Sequence, residues 1–436
     1  MTGPVQILRA SIFNTPQNPF DFSDALVAIE DGGLAVAEGC IAACDDYSRV
    51  SRQFPDAAVR DLRGSYLLPG FVDTHVHYPQ VRILGGLGYS VLDWLQGLTL
   101  PEEAKLADTK YANQISGEFL QQLKSHGTTT ALVFGAHFES AMTCFFEAGG
   151  QSGLRIISGL VLSDRGLTPA LQQTPEAAYE QSKSLIRRFH RKGRLAYAVT
   201  PRFALSASEP MLQVCEALRR EDASLHFTTH VNENPREVEE VARLFPWAAD
   251  YLAVYERYHL AGRRSIFAHN IHTCDSQLHR LSVHGAAIAH CPCSNAALGS
   301  GIFPMKHHLD ARVRFALGSD VGGGTGFGMM KEALQAYLLQ RVAPQAMTLT
   351  AAQMLYLTTR AGAEALDMDA EIGDFTPGKA ADLVVLQAPQ KSPLAGVLAA
   401  KVDPARALAA IFTLAGSECI REVQVGGEVI YDIAAN

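Results

Sequence analysis

Leu67-Leu68-Pro69-Gly70-Phe71-Val72-Asp73-Thr74-His75-Val76-His77 is an apolar, strand-like run that ends in two histidines separated by one residue. Alternate side chains of a strand point the same way, so both imidazoles reach toward one point. A single pair of this kind says little. Three further candidates each close an apolar run of their own: His230 after 225–229, His269 after 265–268, and Asp320 after 315–319. Unrelated core histidines have no reason to recur at that boundary. The recurrence points to a metal centre built at strand ends.

Working outward, eight short apolar runs alternate with segments of helical period: 67–73, 128–134, 155–162, 195–200, 225–230, 265–269, 286–291 and 314–319. Leu106, Tyr111, Ile115, Phe119 and Leu123 recur at helical spacing after the first run, and Ala178, Leu185 and Phe189 after the third. Eight such units in roughly 250 residues match an α/β fold of the (β/α)8 TIM-like barrel type, whose active sites lie at the carboxyl ends of the strands. A doubly wound sheet is the competitor, but no Gly-x-Gly-x-x-Gly follows the first run. The expected organisation has three parts. Residues 1–66 form the N-terminal half of a small β-sandwich, 67–375 the barrel, and 376–436 the other half of the sandwich. Thr350-Ala351-Ala352-Gln353 has capping-box spacing and predicts a helix over 351–366.

Composition narrows the function classes. The chain has 436 residues, of which 47% are hydrophobic and 19% charged, the profile of an ordinary globular protein. A net charge of −8 and no basic run argue against a nucleic-acid partner. No secretory signal or membrane-length apolar stretch is evident, and eight cysteines are too few for a disulfide framework, so the expected setting is the cytoplasm. Cys291-Pro292-Cys293 has one residue between the thiols where zinc deaminases with thiolate ligands have two, and it reads as a buried strand end.

His75, His77, His230 and Asp320 make a nitrogen–oxygen ligand set that suits zinc, with iron or manganese as alternatives. His269 either joins them or hydrogen-bonds the attacking oxygen. Glu233, between His230 and the helix start Asn234-Pro235, is the candidate proton carrier, and its bland alternative is a solvent-facing glutamate. At the fourth strand end the chain reads Thr200-Pro201-Arg202-Phe203, with no lysine to carry a metal-bridging carbamate, which favours one ion per chain. Arg202, Phe203 and Gln80 suit a planar polar ligand: a donor fork, a stacking face and an amide edge. Trp94 and Phe327 are packing residues by default, with pocket walls as the alternative.

Pro69-Gly70-Phe71-Val72-Asp73-Thr74-His75-Val76-His77-Tyr78-Pro79-Gln80 resembles the amidohydrolase superfamily. Thr200-Pro201-Arg202-Phe203, Thr229-His230-Val231-Asn232-Glu233-Asn234, Ala268-His269, His290-Cys291-Pro292 with Ser294-Asn295, Gly318-Ser319-Asp320-Val321-Gly322-Gly323-Gly324 and Thr376-Pro377-Gly378-Lys379-Ala380-Ala381-Asp382-Leu383 extend the resemblance over most of the chain. Cys293 departs from it, standing where relatives carry other polar residues. The resemblance implies His75, His77, His230 and Asp320 as ligands of one zinc ion, with Glu233, His269 and Asp320 as catalytic residues. Gln80 and Arg202-Phe203 narrow the implied substrate to guanine, a small-molecule purine hydrolysed to xanthine and ammonia by attack of metal-bound hydroxide at C2. Purine catabolism and a homodimer are implied in the same way. An alternative heterocycle (8-oxoguanine or a pterin) and a non-enzymatic barrel scaffold remain open at this point.

Overall fold

The computed structural model describes residues 4–435. Eight parallel strands follow one another around a barrel in chain order: β1 (Phe71–His77), β2 (Thr128–Phe134), β3 (Arg155–Gly159), β4 (Leu195–Pro201), β5 (His226–Val231), β6 (Ser265–His269), β7 (Ala287–His290) and β8 (Arg314–Leu317). Every residue of β1 and β2 is buried, because side chains fill the barrel on one face and helices cover the other. That is why these strands read as continuous apolar runs and not as alternating ones. Val72, Leu132, Ile157, Ala198, Ile266 and Ala289 share the interior cluster. Between β8 and β1 the polar contacts Thr74 Oγ1 to the Leu317 carbonyl (2.9 Å) and Asp320 N–H to the His75 carbonyl (2.8 Å) bring the last strand back to the first.

The helical periods fall where the apolar spacing puts them. The helix Thr109–Ser125 buries Ile115, Phe119 and Leu123, and Pro175–Phe189 buries Ala178 and Leu185. The capping box at Thr350 and Gln353 is formed, but the expected single helix over 351–366 is two, Ala351–Thr358 and Arg360–Ala365. Thr359 breaks it with φ −130° and ψ −93°.

The terminal segments combine into one continuous seven-stranded sheet. Its order is Glu428–Asp432, Ile420–Val425, Leu383–Leu386, Ala58–Pro69, Val5–Asn14, Val27–Ala37, Cys40–Asp46. The two halves meet where Leu383–Leu386 pairs antiparallel with Tyr66–Pro69. Leu8, Ile12, Leu34, Leu67, Leu383 and Val385 share its core. Leu67, Leu68 and Pro69, expected to open the first barrel strand, therefore close a strand of this sheet, and the barrel strand starts only after Gly70. The segment 376–436 is also less uniform than expected. It contains helices Pro393–Ala399 and Pro404–Leu414, and the latter buries Leu408, Ile411 and Phe412 in the cluster that surrounds the barrel. Ser392-Pro393 and Asp403-Pro404 are N-cap and first-turn pairs that announce both helices. Among the described residues no helix is long and apolar enough to cross a membrane.

Candidate active site

At the carboxyl ends of the strands the backbone leaves ordinary territory. Asn232 (φ 50°), His269 (φ 72°), Asn270 (φ 50°) and Asp320 (φ 47°) all occupy the left-handed region. Non-glycine residues pay for that conformation, and it persists where surrounding structure over-determines it. Here the Asp320 N–H is held by the His75 carbonyl, and Asn232 Nδ2 donates to Asn270 Oδ1 at 2.9 Å. Beneath the turn, buried Asp73 accepts from the Ser319 N–H at 3.0 Å and the Ser319 hydroxyl at 2.5 Å, tying the β8 end to β1.

The turns bring five side chains to one point. His77 Nε2 lies 3.1 Å from His75 Nε2, 3.3 Å from His230 Nε2 and 3.1 Å from Asp320 Oδ1. His75 Nε2 is 3.3 Å from the same oxygen. Ligand atoms of His75, His230, His269 and Asp320 lie within 4.8 Å of one another. A tetrahedral ion with bonds of about 2.1 Å keeps its ligand atoms roughly 3.4 Å apart, so the spacing fits a metal. Protonation fits as well: burial pushes His75 down to about 4 and His230 well below its usual value, leaving neutral rings with lone pairs to give. The Arg202 carbonyl, 2.7 Å from His230 Nδ1, accepts a hydrogen bond from the Nδ1–H and turns Nε2 toward the cluster. Asn295 Oδ1 does the same for His269 Nδ1 at 2.8 Å, and His269 Nε2 is buried without a partner.

Glu233 is buried, not solvent-facing. Its Oε2 lies 3.6 Å from His269 Nε2, and Ser300 Oγ donates to its Oε1 at 3.4 Å. Burial raises its carboxyl to about 7, so it can hold or release a proton near neutrality. The capping box of the helix Pro235–Leu244, with Asn234 and Glu237, fixes the backbone next to it.

The cavity above the cluster is lined by His77, His230, His269, Glu233 and Asp320 together with Gln80, Arg202, Phe203, Trp94, Val91, Leu95 and Leu298. Trp94 is thus a wall of the pocket, whereas Phe327 packs on Phe119 at 5.6 Å between ring centres, away from it. Arg202 and Gln80 meet on a residue that the pattern of the chain does not flag, Glu103. Its carboxylate accepts from Arg202 Nη1 (2.9 and 2.7 Å), Gln80 Nε2 (2.8 Å) and His137 Nε2 (3.1 Å). Burial opposes its charge, but the Arg202 guanidinium and His137 hold it well below the usual glutamate range. In sequence Glu103 follows Pro101 in the first turn of the helix Leu100–Ala104, where an acid is unremarkable. Asn295 stands in a stretch that carries the family resemblance, and only the structure gives it a part in the site. Cys291 and Cys293 are buried free thiols whose pKa burial pushes up, and neither belongs to the group of possible metal ligands around Asp320.

A model of the amidohydrolase family matches residues 66–430. The chain is 52% identical to a probable guanine deaminase of Deinococcus radiodurans, over 98% of this chain and 99% of that one. Among solved structures it resembles the guanine deaminase of E. coli (TM-score 0.93, 37% identity, 98% of this chain and 99% of that one). It also resembles the guanine deaminase of Bradyrhizobium japonicum (TM-score 0.94, 32% identity, 98% and 99%).

Proposed function

We propose that this chain, which belongs to the amidohydrolase family, hydrolyses the amino group from C2 of guanine to give xanthine and ammonia. The observation that carries the reading is a single pocket holding two unlike sets of groups. One is the histidine–aspartate cluster with a buried carboxyl poised near neutrality. The other is an arginine–glutamine edge beside an aromatic ring. Full-length similarity to two guanine deaminases of known structure supports it.

When bound at His75, His77, His230 and Asp320, a divalent ion supplies a water acidic enough to deprotonate near pH 7. Zinc suits this donor set and a reaction without electron transfer. Glu233 accepts the proton of the attacking water and passes it to a ring nitrogen, which prepares C2 for addition. His269, its Nδ1–H held by Asn295, keeps Nε2 directed at the oxygen. Asp320 shares the first proton transfer. The remaining proton of the attacking water passes through Glu233 or Asp320 to the amino group, which leaves the tetrahedral carbon as ammonia and gives the C2 carbonyl of xanthine. Arg202 and Gln80 read the oxo and N–H edge while Phe203 packs on the base. Such an enzyme serves purine catabolism, with the cytoplasm as its compartment and a homodimer as its assembly. Ammonia release from guanine, 8-oxoguanine, pterin, adenine and cytosine is the test. Guanine should lead the panel, and preference for another member removes the substrate assignment.

A further inference from the structure

Glu103 does more than fill space beneath the pocket. Its side chain is 2% exposed and meets Arg202, Gln80 and His137 at once. An ionised carboxylate can only accept hydrogen bonds, so the group of Gln80 that faces it must be the amide NH2. The Gln80 carbonyl oxygen is then the atom left over, and it is buried with no protein partner. It is also crowded. A Cβ on Gly322 would stand 2.1 Å from it, so glycine, at φ 115°, is what leaves room for the oxygen. A buried acceptor without a donor is costly, which makes a ligand N–H its natural partner. On Arg202 both contacts to Glu103 use Nη1, leaving Nε and Nη2 as donors.

We propose that Glu103 is the positioning residue that sets the polarity of this wall: it makes Gln80 an acceptor and holds Arg202 beside it as a donor, so the pocket selects a cyclic amide edge. A cyclic amide offers an N–H next to a C=O, the complement of that pair. An unsubstituted purine offers a ring-nitrogen lone pair and no oxo group, and it leaves both protein groups unmatched. The proposal rests on the guanine reading above and adds to it the residue that decides which edge is read. With a neutral amide at position 103, the Gln80 amide is free to turn its NH2 into the pocket, and the discrimination goes.

The test is equilibrium binding to the metal-loaded, full-length protein of two ligands without an amine to hydrolyse. Hypoxanthine keeps the N–H and C=O edge, and purine lacks it. Wild type should prefer hypoxanthine by about tenfold or more. Glu103→Gln should lose most of that preference, and Glu103→Asp, which keeps the charge, should recover part of it. Gln80→Met should lose the preference too, and adding it to Glu103→Gln should cost little more, because the two act as one unit. A merely structural role for Glu103 weakens both ligands alike. Equal binding by wild type, or an unchanged ratio in Glu103→Gln, overturns the proposal; should that variant not fold, an unchanged ratio in Gln80→Met does so. Failure of wild type to release ammonia from guanine while it still prefers hypoxanthine sinks the substrate reading and leaves the role of Glu103 standing.

Discussion

The two walls of the pocket are built on different principles. The histidine–aspartate cluster hangs on backbone: His75 and His77 come from one strand, His230 from a strand of its own, and Asp320 lies just beyond a strand end, all on the same barrel. The wall of Gln80 and Arg202 hangs on charge. Gln80 sits in the short helix Tyr78–Ile83, Glu103 in Leu100–Ala104 and Arg202 just past β4, and a buried carboxylate joins them. A rigid frame tolerates loss of one side chain, whereas a buried ionic hub does not, since removing one partner strands the other. The first wall should therefore fail locally and the second collectively.

The sharpest way to break that contrast is in the cluster. His230→Ala should abolish ammonia release and lower metal content to well below that of wild type, with the fold intact by circular dichroism. Full activity without stoichiometric metal removes the cluster from the chemistry. Next in size is Glu233→Gln, which keeps shape and hydrogen bonding but cannot carry a proton. Turnover should fall on the order of 10²–10⁴-fold with metal content unchanged. Wild-type turnover in this variant excludes Glu233 as the proton carrier.

Arg202→Ala probes the other wall and should behave differently. It leaves Glu103 buried and short of its main counter-charge, so a loss of about 3–5 kcal/mol in stability should accompany a raised KM, while metal content holds. Denaturant unfolding checks it, and a stability equal to that of wild type contradicts the ionic hub. The smallest effect should come from Asn295→Ala, which frees the His269 ring without removing it. Activity should fall about 10–100-fold, and recovery in Asn295→Asp, which restores an acceptor for Nδ1–H, separates orientation from packing.

The same contrast explains what could be read from the chain. The barrel and the histidine–aspartate cluster are legible because each residue of the cluster closes or follows an apolar run, and burial on both faces makes those runs stand out. Asn234-Pro235 and Thr350-Gln353 announce helix starts that are formed as caps. Leu67–Pro69 misleads because an apolar strand of the small sheet runs into the barrel strand with only Gly70 between them. Thr359 carries no helix-breaking signature, so its break is invisible. The roles of Glu103 and Asn295 are hidden for another reason: partners 23 and 99 residues from Glu103, and 26 from Asn295, give them their meaning. Local pattern marks Glu103 only as a helix-start acid. Burial of Glu233 is likewise a tertiary fact, and it is what moves its carboxyl to about 7.

The most direct test of the account compares kcat/KM for ammonia release from guanine and from adenine by the protein loaded with one metal ion per chain. Guanine presents an oxo acceptor and an N–H donor to Arg202 and Gln80, whereas adenine presents an amino group and a lone pair and would have to react at C6. Each unpaired buried contact costs about 1–3 kcal/mol, so two of them should favour guanine by at least about thirtyfold. Adenine turned over as efficiently as guanine, or no ammonia from guanine at all, contradicts the account.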